Sequence, residues 1–289
     1  MLACASPRLA RILAAQNADG GWGYFAGKES WLEPTAYALL ALADQPEAGA
    51  AMEKGCRLIR SWELVTGGWR GSPRVEEPHW ATSLVVTLYH TMAMEEAALE
   101  RGVQWLAGSW GAETRPIARV AHWLSPRTVE YDAALSGWPW QHGTSSWVEP
   151  TAHALIALGR RKERSEPRVA QRIEMGKRML LERRCRDGGW NYGNRRVLGA
   201  DLPSHPETTA LALMALDGSA AIGWAEALDG LERLGRASAS GFARAWVRAC
   251  LLQYRGARPD WGKGDVAAGG DILVEAVESI SWNRILGPA

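Results

Sequence analysis

Trp31-Leu-Glu-Pro-Thr-Ala-Tyr-Ala-Leu-Leu-Ala-Leu42 recurs as Trp147-Val-Glu-Pro-Thr-Ala-His-Ala-Leu-Ile-Ala-Leu158. Pro206-Glu-Thr-Thr-Ala-Leu-Ala-Leu-Met-Ala-Leu216 keeps the pattern, and His79-Trp-Ala-Thr-Ser-Leu-Val-Val-Thr-Leu88 keeps its shape. Aligned without gaps, Glu33, His79, Glu149 and Glu207 share one position. The stretch after each of these residues is apolar nearly all round, which describes a helix buried on every side. Pro after the Glu reads as a first helical position.

Between these apolar helices the chain reads as amphipathic ones, at 7–17, 50–62, 96–108, 167–184 and 223–235. Gly-Gly-Trp loops separate the two kinds, as at 20–22, 67–69 and 188–190. A weaker apolar helix is expected at Pro116–Leu124, a short one at Val129–Leu135, a further one at 241–254 and a closing one at Ile272–Ile285. Amphipathic helices alternating with apolar ones describe two concentric layers. Six pairs suffice to close a ring, so the expected fold is an all-α, α/α (α6–α6) toroid, with an open solenoid as its rival. Residues 1–289 are read as a single barrel domain whose closing helix covers about 271–286.

Composition narrows the function. The 33 basic and 32 acidic residues leave a net charge of +1, which offers no attraction for nucleic acid or an anionic membrane. No run of about 18 apolar residues exists to span a bilayer. The four cysteines, Cys4, Cys56, Cys185 and Cys250, form no CxxC pair. Such spacing suits reduced thiols in a cytoplasmic protein. Against 2 Phe there are 16 Trp, many in loops beside Gly, which points to a repeated structural role and to an aromatic cavity.

Gln16-Asn-Ala-Asp-Gly-Gly-Trp22 resembles the Gln-Trp repeat of squalene–hopene and oxidosqualene cyclases. Arg184-Cys-Arg-Asp-Gly-Gly-Trp190 and Glu63-Leu-Val-Thr-Gly-Gly-Trp69 repeat it with Arg or Glu in the Gln place. The chain thus resembles a single α-barrel of the prenyltransferase/squalene oxidase repeat family, of the squalene–hopene, class II terpene cyclase type. The resemblance implies an apolar isoprenoid or polycyclic substrate and acid-initiated cyclisation or isomerisation. It sets Thr35-Ala36 and Thr151-Ala152 on the Thr-Ala of the family's Asp-x-Asp-Asp-Thr-Ala motif, and Glu33 and Glu149 on its acid-donating Asp. Pro34 and Pro150 replace the following Asp, and Trp31 and Trp147 the preceding one. The Asp-x-Cys element of zinc-dependent prenyltransferases is missing, since Arg248 stands two residues before Cys250.

An acid that protonates carbon must stay neutral in a dry cavity, yet have its carboxylate stabilised once the proton leaves. A helix N-terminus supplies part of that stabilisation. The candidate catalytic set is Glu149, Glu33, Glu207, His79, His153 and His205, the donor being Glu149 or Glu33 and a histidine its supporting partner. His153 stands one turn after Glu149, where Tyr37 follows Glu33. Trp31, Tyr37, Trp80, Trp138, Trp140 and Trp147 are the candidate substrate-binding residues, because aromatic faces stabilise cations without attacking them. Glu130 and Asp132 read as exposed. No cofactor and no metal is expected, as no HExxH-type spacing occurs. The expected partner is an apolar small molecule; a homodimer is left open. Two other readings stand beside this one: a non-catalytic barrel that binds a ligand or protein at its rim, and a carbohydrate-active α/α barrel using two Glu.

Overall fold

The computed structural model describes residues 6–117, 120, 124, 130–159, 166–261 and 270–287. Most of the helix expected at Pro116–Leu124, Val129 of the next, and Cys4 lie outside them. We number the described α-helices in chain order: α1 Pro7–Ala14, α2 Leu32–Leu42, α3 Gly49–Ser61, α4 Thr82–Met92, α5 Glu96–Gly108 and α6 Val148–Leu158. They continue with α7 Pro167–Glu182, α8 Pro206–Ala215, α9 Trp224–Ala237, α10 Gly241–Arg255, α11 Ile272–Ser279 and α12 Trp282–Leu286.

The ring closes. α2, α4, α6, α8, α10 and α11 pack each against the next, and α11 packs back on α2. Outside them α3 lies on α2, α5 on α4, α7 on α6, α9 across α8 and α10, and α1 across α11 and α2. All 11 residues of α6 are buried, Glu149 and His153 included, as a helix walled on both sides requires. The chain is thus an all-α toroid of two helix layers, carrying two small antiparallel pairs at Trp138–Pro139 with Ser146–Trp147 and at Arg196–Val197 with Ala200–Asp201.

Two expectations are corrected. α4 and α6 touch directly, and α11 stands in the inner ring as its sixth helix. The described part of the expected helix at Val129–Leu135, from Glu130 on, is a loop, in which Asp132 accepts from the Ala134 N–H at 2.8 Å. Such Asx turns compete with helix formation. The closing helix is split at Ile280–Ser281, and its two parts do different work. α11 completes the inner ring. α12 bridges α4 and α10 across the ring, and Arg284 reaches the Thr91 carbonyl at the C-terminus of α4. It therefore plugs the end of the toroid opposite the inner-helix N-termini.

The repeated Trp is a staple between layers. Its indole N–H donates to a carbonyl near the end of the preceding outer helix: Trp22 to Ile12, Trp138 to Leu106, Trp190 to Leu180. Its backbone N–H donates to a threonine hydroxyl of the inner helix: Trp22 to Thr35, Trp69 to Thr82, Trp138 to Thr151, Trp190 to Thr209, all at 2.9–3.0 Å. Gln16 donates to the Gly20 carbonyl, and Arg184 does the same for Gly188, which explains how Arg substitutes for Gln in this loop. Gly137 is required here because a Cβ would collide with the Thr151 hydroxyl that holds the staple. Thr151→Val should orphan the buried Trp138 N–H and cost about 1–3 kcal/mol in urea unfolding; an unchanged midpoint would deny the staple its energetic role.

The same geometry closes the ring. The first N–H of α2 donates to Gly71 O and that of α6 to Tyr192 O, each in the following repeat's loop. The first N–H of α11 donates in the same way to Tyr24 O, in the first repeat. Arg8 and Arg11 of α1 add ion pairs to the buried Glu275 of α11 at 3.1 and 2.5 Å.

Candidate active site

Glu33, Glu149 and Glu207 are each the second residue of an inner helix, after the N-caps Trp31, Trp147 and His205. None of these helices has a side-chain cap bond, so the glutamates are not caps. Pro34 and Pro150 fall at the third helical position and Pro206 at the first. The three carboxyls share one rim, where the helix dipoles point positive ends at them.

The threonine staples correct the alignment of the second repeat. Counting back two residues from Thr35, Thr151 and Thr209 reaches Glu33, Glu149 and Glu207; from Thr82 it reaches Trp80. His79 instead matches Trp31 and His205, since the backbone N–H of each donates to the carbonyl of its repeat's stapling Trp. This repeat is one residue shorter between cap and threonine, and setting His79 on the Glu position puts Thr82 one residue past the stapling threonine.

The three glutamates differ in their partners. Tyr24 donates its hydroxyl to Glu33 at 2.6 Å, and Tyr192 donates to Glu207. Among the described residues nothing hydrogen-bonds the Glu149 carboxyl. Burial, then the charges of Glu33 and Glu207, push Glu149 up to about 8. Burial also pushes Glu33 up to about 7, against the Tyr24 hydrogen bond, with Asp271 adding to the rise. Asp271 caps α11 through the Leu273 and Val274 N–H groups.

The histidines do not pair with the glutamates. His153 Nε2 meets the Tyr37 hydroxyl at 2.9 Å. Burial pushes His153 down to about 3 and His79 to about 4, so both are neutral. His79 Nδ1 accepts weakly from the Ala81 N–H at 3.4 Å, and the His205 ring lies on Tyr192, centroids 4.9 Å apart. Among the described residues no hydrogen bond joins His79, His153 or His205 to a glutamate.

An aromatic column runs inward from the rim. Trp140 meets Trp80 at 4.8 Å and Trp80 meets His153 at 5.4 Å. His153 and Tyr37 both pack on Trp246, at 5.7 and 6.1 Å, and Trp246 packs on Trp282 of the plug at 5.2 Å. The column thus ends on α12. Trp138 is taken up as a staple, with the Arg172 guanidinium 3.6 Å from its ring centre. Trp147 is 39% exposed and belongs to the mouth. There it walls a groove of about 280 Å³ with Tyr192, Val197, Leu202, Pro203 and His205. No group of metal-ligating residues occurs among the described residues, nor does a helix long and apolar enough to cross a membrane.

Sequence reasoning missed Tyr24 and Tyr192, although both stand two residues after a stapling Trp in Gly-Gly-Trp-x-Tyr. It missed Trp246 and Trp282 because each sits on a helix that reads as ordinary amphipathic sequence. It missed Asp271 as well, which stands just after the Gly-rich 256–270 loop.

The architecture is that of type II terpene cyclases. The cyclase MstE from Scytonema, in a variant holding its product merosterolic acid A, superposes with a TM-score of 0.55 at 18% identity, covering 96% of this chain and 77% of that one. A variant holding the substrate geranylgeranyl dihydroxybenzoate gives 0.54 at 18%, covering 96% and 76%. A protein from Actinoplanes gives 0.57 at 18%, covering 96% and 98%. In sequence, 67 residues are 37% identical to drimenyl diphosphate synthase of Streptomyces showdoensis, a match spanning 22% of this chain and 13% of that protein's length. No protein-family model matches. The chain therefore has a class II terpene cyclase-like fold.

Proposed function

We propose that this barrel is a terpene-cyclase-like enzyme in which Glu149 protonates an apolar isoprenoid, with residues 1–289 acting as a single domain. The observation that carries this reading is the state of Glu149. Its carboxyl is buried, lacks a hydrogen bond among the described residues and is pushed up to about 8, so it holds its proton at neutral pH. It stands at a helix N-terminus, which favours the carboxylate left behind, and one turn before His153, a member of the aromatic column, whose ring faces suit a carbocation. A raised pKa costs acid strength. The site accordingly suits a substrate whose protonation gives a tertiary or oxygen-stabilised cation, such as a trisubstituted alkene or an epoxide. Cyclisation or isomerisation then follows with no cofactor, the final proton loss restoring the acid.

The neutral histidines take no part in charge balance on this reading. His153 holds Tyr37 in place, while Glu33 and Glu207 keep the proton on Glu149 by like-charge repulsion. The groove beside Trp147 serves as the apolar mouth. The MstE neighbour's substrate, a geranylgeranyl group on an aromatic ring, makes prenylated aromatics the first class to test. Purified protein should be incubated with geranylgeranyl- and farnesyl-bearing aromatics and their terminal epoxides. Chromatographically distinct products of unchanged mass are expected. Lack of product from the whole panel, with no lipid extractable from the purified barrel, would move the reading to a non-catalytic rim-binding module.

A further inference from the structure

We propose that Trp140 selects Glu149 as the proton donor, by withholding the phenol hydroxyl that the equivalent position supplies to Glu33 and Glu207. The inference rests on the acid role of Glu149 proposed above and adds a reason why one of three equivalent glutamates takes it.

The equivalence follows from hydrogen bonds. In the first repeat the stapling Trp22, Tyr24, Glu33 and Thr35 are set by the Trp22 N–H bond to the Thr35 hydroxyl. In the third, Trp138, Trp140, Glu149 and Thr151 carry the same spacing and the same bond, 2.9 Å in each case. Trp22 and Trp138 also pair with Trp31 and Trp147 alike. Position 140 is therefore position 24 of its repeat. In the fourth copy Tyr192 again stands two residues after the staple and reaches Glu207, across a longer loop.

Burial and the neighbouring glutamates push Tyr24 and Tyr192 upward, so both phenols remain donors. A hydroxyl donated to a carboxylate favours its ionised form. Trp140 has no hydroxyl, and its ring turns to Trp80, which itself replaces the second repeat's glutamate. Glu149 thus lacks a phenol at the position that serves Glu33 and Glu207, while both of those glutamates act on it by their charge.

The remaining charges near α6 do not offer a substitute donor. From α8 comes Glu207, bonded to Tyr192; from α2, Glu33, bonded to Tyr24, and Tyr37, bonded to His153. The neutral His79 precedes α4 and bonds locally. From α7, Arg172 donates to the Ser109, Ser136 and Gly137 carbonyls, while Arg183, beyond its end, donates to Ser146 O and Glu113.

The test compares Trp140→Tyr with Trp140→Phe in the full chain. Glutamate δ-carbons are labelled with carbon-13, their titrations followed by NMR, and the Glu149 signal assigned by its loss in Glu149→Gln. Trp140→Tyr should move the Glu149 titration to lower pH, whereas Trp140→Phe should leave it at the wild-type position. Coincident titrations in the two variants would overturn the proposal. Should Trp140→Tyr fail to fold, Tyr24→Phe supplies the converse: the Glu33 titration must rise, and an unmoved Glu33 would equally overturn it. With a prenyl substrate, Trp140→Tyr should lose about threefold in kcat at pH 7.5 for the first unit of downward shift from about 8 and about tenfold for each further unit, and recover at lower pH. Absence of turnover in wild type would count against the proposed function and leave the titration result to decide the role of Trp140.

Discussion

Glu149→Gln is expected to lower turnover of a prenyl substrate by about 10³-fold, within the range general acid catalysis supplies. Gln fills the same space and keeps the burial of α6, so the variant should fold. Glu33→Gln and Glu207→Gln act on the reaction only through the charge that holds the proton on Glu149. Each should lose less than Glu149→Gln and should shift the pH dependence of kcat to lower pH. The measurement is kcat against pH for the three variants. Equal losses with unshifted profiles would mean that the glutamates serve a common structural purpose.

The second large effect is on stability. Glu149 binds its proton more tightly in the folded chain, at about 8, than at its ordinary value of 4.5. Glu33 does so at about 7. A group raised in this way contributes stability that is fully present below its unfolded pKa and lost as pH rises through its folded pKa. Wild-type protein should therefore weaken between about pH 5 and pH 8, on the order of 2–4 kcal/mol from Glu149. Glu149→Gln should flatten this decline and be the more stable protein at pH 8.5. Urea unfolding across that range measures it. Parallel curves for the two proteins would show that Glu149 is not desolvated as the fold implies.

The toroid was legible because its repeats write both layers into the sequence. Inner helices such as Ala36–Leu42 have no polar face, and the Gly-Gly-Trp loops mark each passage between layers. Legibility failed where the chain departs from the repeat. The sixth inner helix is α11, which sequence joined to α12 because apolar spacing carries on across Ile280–Ser281. The rim position was legible as well, and its second copy was misplaced by one residue because nothing in sequence identifies Thr82 as the staple's acceptor. What separates Glu149 from Glu33 and Glu207 lies in tertiary contacts. The phenols of Tyr24 and Tyr192 fold back on their glutamates from loops of different length, while Trp140 turns aside to Trp80. Sequence places the aromatic side chains and leaves open which of them carries a hydroxyl to a carboxylate.

On the proposed reading Glu149 is a neutral acid at physiological pH. The carboxylic C=O stretch in the infrared difference between wild type and Glu149→Gln reports this directly. A protonated-carboxyl band is expected at pH 7, disappearing as pH passes about 8. A difference spectrum showing only carboxylate bands already at pH 6 would contradict it.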